Sequence, residues 1–212
     1  HWGGGTPTYY AEDELERLFG AFAAHFKFTP DAEVAIEVDP RVTSPGQIAL
    51  LRRLGFNRLS FGVQDFDPVV QESVHRIQPF ELTRDLLDCA RAEGFQSVNV
   101  DLIYGLPYQT REGFGRTLRQ VIEMRPERVA VYSFAYVPWI KPHMKKLPQE
   151  VLPEPAAKLE LFALAVDAFL GAGYRQIGMD HFAVPEDELA RAVEQQRLYR
   201  NFMGYTVQSA ND

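Results

Sequence analysis

The sequence predicts an α/β fold: a partial, open β/α barrel of parallel strands, built as one domain over residues 1–212. Three observations predict it. Amphipathic helical stretches alternate with short β-rich runs from one end of the chain to the other, the pattern of parallel βαβ units. Polar residues or glycine stand at the C-terminal end of nearly every run, where β/α barrels place their sites. No GxGxxG follows any run, so a doubly wound dinucleotide fold, with its ligand at one switch point, fits less well.

The elements follow in order. His1-Trp2 reads as the end of a strand. Gly3-Gly4-Gly5-Thr6-Pro7-Thr8 then leads into a helix over 11–25. Strands are expected over 33–38, 58–63, 97–103, 128–134 and 174–179, each short and rich in Val, Ile, Phe or Tyr. Helices are expected over 44–53, 79–93, 111–124 and 154–170. Ser44-Pro45 reads as N-cap and first helical residue, and Gly55, Gly94 and Gly171/Gly173 follow helix ends. Asp39, just before Pro40, reads as a carboxylate capping the next helix.

Period-2 geometry assigns the strand faces. Ser60, Gly62 and Gln64 share one face; Leu59, Phe61 and Val63 share the other. Asn99 and Asp101 lie opposite Val98, Val100 and Leu102, and Gln176, Gly178 and Asp180 fall together. A barrel filled by its own side chains turns Val, Ile and Leu inward. Here the apolar faces are expected to pack on helices, leaving a polar lumen wide enough for a ligand. Glu37, Gln64, Asp101 and Ala135 recur at spacings of 27, 37 and 34 residues, one βα unit each.

Composition excludes several classes. A net charge of −7 with both signs interspersed argues against nucleic acid or an anionic membrane as the main partner. No apolar run reaches the roughly 20 residues of a spanning helix. Cys89 is the only cysteine, which excludes an internal disulfide or a multi-cysteine metal site in this chain and suggests a reducing, cytoplasmic setting. It sits among apolar helical neighbours and reads as a small buried hydrophobe.

Several residues are suited to chemistry. The three glycines let backbone approach a ligand closely, although a tight βα turn needs the same residues. Glu37 and Asp101, at strand ends, suit a ribose hydroxyl, an α-ammonium or a metal; the bland alternative is a structural carboxylate. Arg76 offers a bidentate fork to a carboxylate, although a lone Arg in such a segment is more often a solvated residue. Asp180-His181 suits a proton relay or a metal, but no histidine pair has ligand spacing, and no metal site is expected. Lys141, His143, Lys145 and Lys146 form a basic stretch that suits anionic groups.

Five strings in order carry a resemblance: His1-Trp-Gly-Gly-Gly-Thr-Pro-Thr8, Ile36-Glu-Val-Asp-Pro40, Gly55-Phe-Asn-Arg-Leu-Ser-Phe-Gly-Val-Gln-Asp-Phe66, Asn99-Val-Asp-Leu-Ile-Tyr-Gly-Leu-Pro107 and Ile177-Gly-Met-Asp-His-Phe182. Together they resemble the oxygen-independent coproporphyrinogen III oxidase (dehydrogenase) family of the radical S-adenosylmethionine (SAM) superfamily. The resemblance implies a barrel of radical SAM type, cut short at both ends relative to the family. It also implies two SAM molecules and a [4Fe-4S] cluster on a Cys-x3-Cys-x2-Cys motif that this chain lacks. By resemblance, Gly4 and Glu37 contact the cluster-bound SAM, while Gly5, Thr6, Gln64, Arg76, Asp101 and Ala135 contact the second. No catalytic residue is assigned.

The implied reaction converts two propionates of coproporphyrinogen III to vinyl groups in haem biosynthesis. The porphyrinogen is the substrate, a reductant protein feeds the cluster, the protein is a cytoplasmic monomer, and this stretch alone is inactive. Two other readings stay open. One is the related haem-chaperone branch, disfavoured by Val63-Gln-Asp-Phe66 and Met179-Asp-His-Phe-Ala183. The other is a metal-dependent barrel hydrolase using Glu37, Asp101 and His181.

Overall fold

The computed structural model describes residues 1–147, 149–201 and 204–207. Along the chain run α1 (Glu12–His25), β1 (Ala35–Val38), α2 (Pro45–Leu54), β2 (Arg58–Gln64), α3 (Pro68–Ser73), α4 (Phe80–Ala92) and β3 (Ser97–Tyr104). There follow α5 (Arg111–Met124), β4 (Arg128–Ser133), α6 (Pro155–Gly171), β5 (Arg175–Ile177), β6 (His181–Ala183), α7 (Glu188–Glu194), β7 (Tyr199–Asn201) and β8 (Gly204–Thr206). Two compact units result: His1–Val63 with Gln78–Val100, and Gln64–Ile77 with Asp101–Asp212.

In the first unit the strand order is β1-β2-β3. β1 and β2 are parallel, Glu37 pairing with Ser60. Trp2 bridges Ile36 in the parallel sense, so the residues before the glycine run do align as strand. Alternation holds: Ile36, Val38, Leu59, Phe61 and Val63 are buried, while Glu37, Ser60 and Gly62 are half-buried. Each buried aliphatic or aromatic side chain contributes about 1.5–3 kcal/mol, which fixes the register, because a one-residue slip exchanges the faces. Asn99 Nδ2 donates to Ser60 Oγ at 2.8 Å, joining polar residues of neighbouring strands.

α2 starts on a reciprocal cap. Gln47 N–H donates to Ser44 Oγ at 3.1 Å and Ser44 N–H to Gln47 Oε1 at 2.8 Å. The expected cap at Asp39 is therefore corrected. That carboxylate instead accepts from Arg41, Nε to Oδ1 at 3.0 Å and Nη2 to Oδ2 at 2.7 Å, within its own turn. Four residues separate it from the Ser44 cap, too far to reach the first N–H groups of α2.

In the second unit the order is β3-β4-β6-β5, and α5 packs on α6. The expected parallel strand over 174–179 is corrected here. It ends at Ile177; the chain turns through Gly178 (φ +61°) and returns as β6, antiparallel to both β5 and β4. Asp180 is therefore in the turn rather than on a strand face with Gln176. A buried pair, Arg128 Nε to Asp187 Oδ2 at 2.9 Å, ties the start of β4 to the cap of α7. The fold class stands: an α/β domain with an open, mostly parallel sheet flanked by helices.

Candidate cofactor-binding site

In the first unit, the glycine run lies against Glu37. Gly4 N–H donates to Glu37 Oε2 at 3.2 Å, and the Glu37 side chain retains 40% of its exposure. A Cβ on Gly3 would lie 2.5 Å from Glu37 Oε1, so the carboxylate and a side chain at that position exclude one another. Gly4 takes φ +85°, and open space lies where its Cβ would be. Glu37 has one further contact, to His1 Nε2 at 3.6 Å. A carboxylate offers about four acceptor directions, so most of this one's capacity is unspent.

The segment after the glycines is anchored from below. Gln47 Nε2 donates to the carbonyls of Thr8 and Tyr10, both at 2.9 Å, and Thr43 Oγ1 donates to Thr8 Oγ1 at 2.7 Å. Thr6 is half-buried at the head of a 3-10 turn over Pro7–Tyr9, and its side chain makes no capping bond there. The run borders an open cleft of about 810 Å³, a volume typical of small-molecule sites.

In the second unit, Gln64 ends β2 with φ +69°, a left-handed backbone rare for a residue with a side chain. Asp101 is half-buried in the alternating pattern of β3. Arg76 follows α3, its N–H donating to Gln71 O at 2.8 Å, and its side chain is half-buried. Ala135 is exposed just past β4. Its neighbour Phe134 is fixed on both sides: its N–H donates to Tyr104 O at 2.8 Å, and its carbonyl accepts from Lys158 Nζ at 2.5 Å. Burial lowers the Lys158 ammonium below the usual lysine range.

Sequence reasoning missed Asp65. It is 1% exposed, and its carboxylate accepts from Asp67 N–H at 2.8 Å, Thr117 Oγ1 at 2.5 Å and Gln109 Nε2 at 2.6 Å. Nothing in the local pattern separates it from an ordinary Asx turn; the distant partners alone set it apart.

Asp180 and His181 do meet, Oδ1 to Nδ1 at 2.7 Å, with Tyr132 Oη at 3.5 Å from Nε2 and the Tyr205 ring edge-on to the imidazole. Among the described residues no three His, Cys, Asp or Glu converge as a metal site. Pro142–Lys146 forms a 3-10 turn, and the His143 side chain lies outside the described residues. Cys89 is half-buried on α4, its thiol pushed up by burial and by the nearby Glu93.

Known proteins resemble this chain in sequence and fold. The oxygen-independent coproporphyrinogen III oxidases of Synechocystis sp. and Escherichia coli K12 are each 47% identical over all 212 residues of the chain. The chain spans about half the length of these curated relatives, 46% of each. The solved structure of the Escherichia coli coproporphyrinogen III oxidase, described as a radical SAM enzyme, superposes with a TM-score of 0.96 at 47% identity, over 99% of this chain and 48% of that one. Residues 1–121, more than half of the chain, match the radical SAM superfamily, and the chain belongs to it.

Proposed function

We propose that this chain is the SAM-binding part of an oxygen-independent coproporphyrinogen III oxidase, which decarboxylates two propionates of coproporphyrinogen III to vinyl groups on the route to haem. The observation that supports this reading most is the identity of 47% along the entire chain to two oxygen-independent coproporphyrinogen III oxidases. Over residues 1–212 the chain acts as one domain of that protein, a monomer of the cytoplasm served by a reductant protein.

The donor set suits SAM. Its sulfonium and α-ammonium are cations, and Glu37 presents them a half-exposed carboxylate with acceptor capacity left. Gly4 and Gly5 leave room for close approach of the ligand to backbone. Asp101 suits a ribose hydroxyl or an ammonium, Gln64 either a donor or an acceptor, and Arg76 the methionyl carboxylate. We assign Gly4 and Glu37 to one SAM, and Gly5, Thr6, Gln64, Arg76, Asp101 and Ala135 to a second. Bound beside a reduced cluster, SAM would supply the radical chemistry by which a propionate loses carbon dioxide and becomes a vinyl group. The cluster itself does not fit these residues, since the chain has one thiol, the half-buried Cys89 on α4, and the superfamily's cluster takes three. What these residues do is bind and orient SAM.

The test is an anaerobic assay of the full-length protein with SAM, reductant and coproporphyrinogen III, read as protoporphyrin fluorescence after oxidation. Vinyl product supports the reading. A protein that makes none, yet binds haem tightly, belongs with the haem chaperones instead.

A further inference from the structure

Gln64 holds a left-handed backbone conformation at φ +69°, and the next residue is a buried carboxylate without a cationic partner among the described residues. Both features are costly: roughly 1–3 kcal/mol for the backbone and several for an uncompensated buried charge. They persist because the surroundings over-determine them. Three donors converge on the carboxylate, and Gln71 Nε2 holds the Asp65 carbonyl at 2.9 Å. Thr117 closes a second tie, accepting from Phe66 N–H at 3.1 Å while donating to Asp65.

The amide of Gln109 is oriented by main chain. Its Oε1 accepts from Gly105 N–H at 2.6 Å, and its Nε2 donates to Ile103 O at 3.0 Å. It therefore cannot flip, and the atom of residue 65 that faces it must be an acceptor. Asp67 N–H, also main chain, imposes the same demand on the other oxygen. Only a carboxylate satisfies both; an asparagine sets an NH2 against one fixed donor, whichever way it turns.

We infer that Asp65 is a positioning residue: its carboxylate fastens the segment after β2 to the turn after β3 and to α5, and so fixes Gln64 in the conformation that presents its amide to SAM. This rests on the assignment of Gln64 to SAM proposed above.

The test uses the full-length protein and equilibrium binding of radiolabelled SAM. Wild type is expected to bind two equivalents, and Asp65→Asn to bind one of them about tenfold more weakly, about 1.4 kcal/mol. Gln64→Ala weakens the same equivalent, and the double variant is no worse than the weaker single one, because both act through one side chain. Amide exchange at Phe66 and Asp67 accelerates in Asp65→Asn and stays at the wild-type rate in Gln64→Ala. If Asp65→Asn does not fold, Thr117→Val replaces it, with the same directions expected. SAM binding by Asp65→Asn equal to wild type, or losses that multiply in the double variant, overturns the positioning role alone. Wild-type protein that binds no SAM overturns both this role and the function it rests on.

Discussion

Glu37 and Asp65 stand at the ends of consecutive strands, and the protein treats them in opposite ways. Asp65 is buried and largely spent: three donors lie within 2.8 Å of its carboxylate. Glu37 keeps 40% of its side-chain exposure and has one backbone donor at 3.2 Å and one imidazole at 3.6 Å. A buried carboxylate with three of its about four acceptor directions taken has little left to offer a ligand and is read as architecture. An unsaturated one beside glycine backbone has acceptor capacity left for the ligand proposed above. The same residue class near the ends of consecutive strands thus divides by hydrogen-bond occupancy, not by sequence, into a carboxylate spent on the framework and one with capacity left.

The largest expected effect is on the framework side. Asp65→Ala leaves three buried donors without an acceptor, at 1–3 kcal/mol each when unrelieved, so a loss of roughly 3 kcal/mol is expected in urea unfolding. A variant within 0.5 kcal/mol of wild type breaks the comparison. Next, Asp101→Asn keeps the shape and removes the charge. Decarboxylation is expected to fall about ten- to hundredfold, the worth of one charge-assisted hydrogen bond, with unfolding unchanged. Full activity in that variant removes Asp101 from the site.

Glu37→Gln sharpens the contrast. Its stability is expected to stay within about 0.5 kcal/mol of wild type, as for exposed positions, while SAM affinity drops about tenfold by equilibrium dialysis. A large loss of stability with intact affinity would make Glu37 framework too. The smallest effect is in pH. Burial pushes the Asp65 carboxyl above its ordinary 3.8, and its hydrogen bonds with Asp67, Thr117 and Gln109 pull it partly back. The folded chain therefore holds this proton more tightly than the unfolded chain, and the contribution to stability declines as pH rises through the interval above 3.8. Thr117 makes protonation tolerable, because a hydroxyl can reverse its role where a main-chain N–H cannot. Urea midpoints of wild type and Asp65→Ala should draw closer as pH rises from about 4 to 6; a widening gap refutes the sign.

The alternation of strands and helices was legible because apolar faces repeat at fixed periods, and Ser44-Pro45 announced its cap. Gly4 and Glu37 were legible as candidates from their places near the ends of strands; Asp101 was legible from its polar face, although it lies within β3 rather than at its end. β6 was not: the expected strand stopped at residue 179 with no strand after it, and only the pairing with β4 and β5 reveals the reversal. The left-handed turn at Gln64 had no signal, since glutamine has no preference for it. Asp65 stayed hidden because its partners Gln109 and Thr117 lie 44 and 52 residues away.

The reversal at Gly178 has a consequence for solubility. A long parallel strand at the margin of a sheet exposes a row of unpaired N–H and C=O groups that templates association with other chains. Here the margin strand beyond β6 is β5, three residues long, beginning with the exposed Arg175 and ending at a turn. So short and charged a margin gives a neighbouring molecule little ladder to extend, and the hairpin serves as a guard against edge-to-edge aggregation.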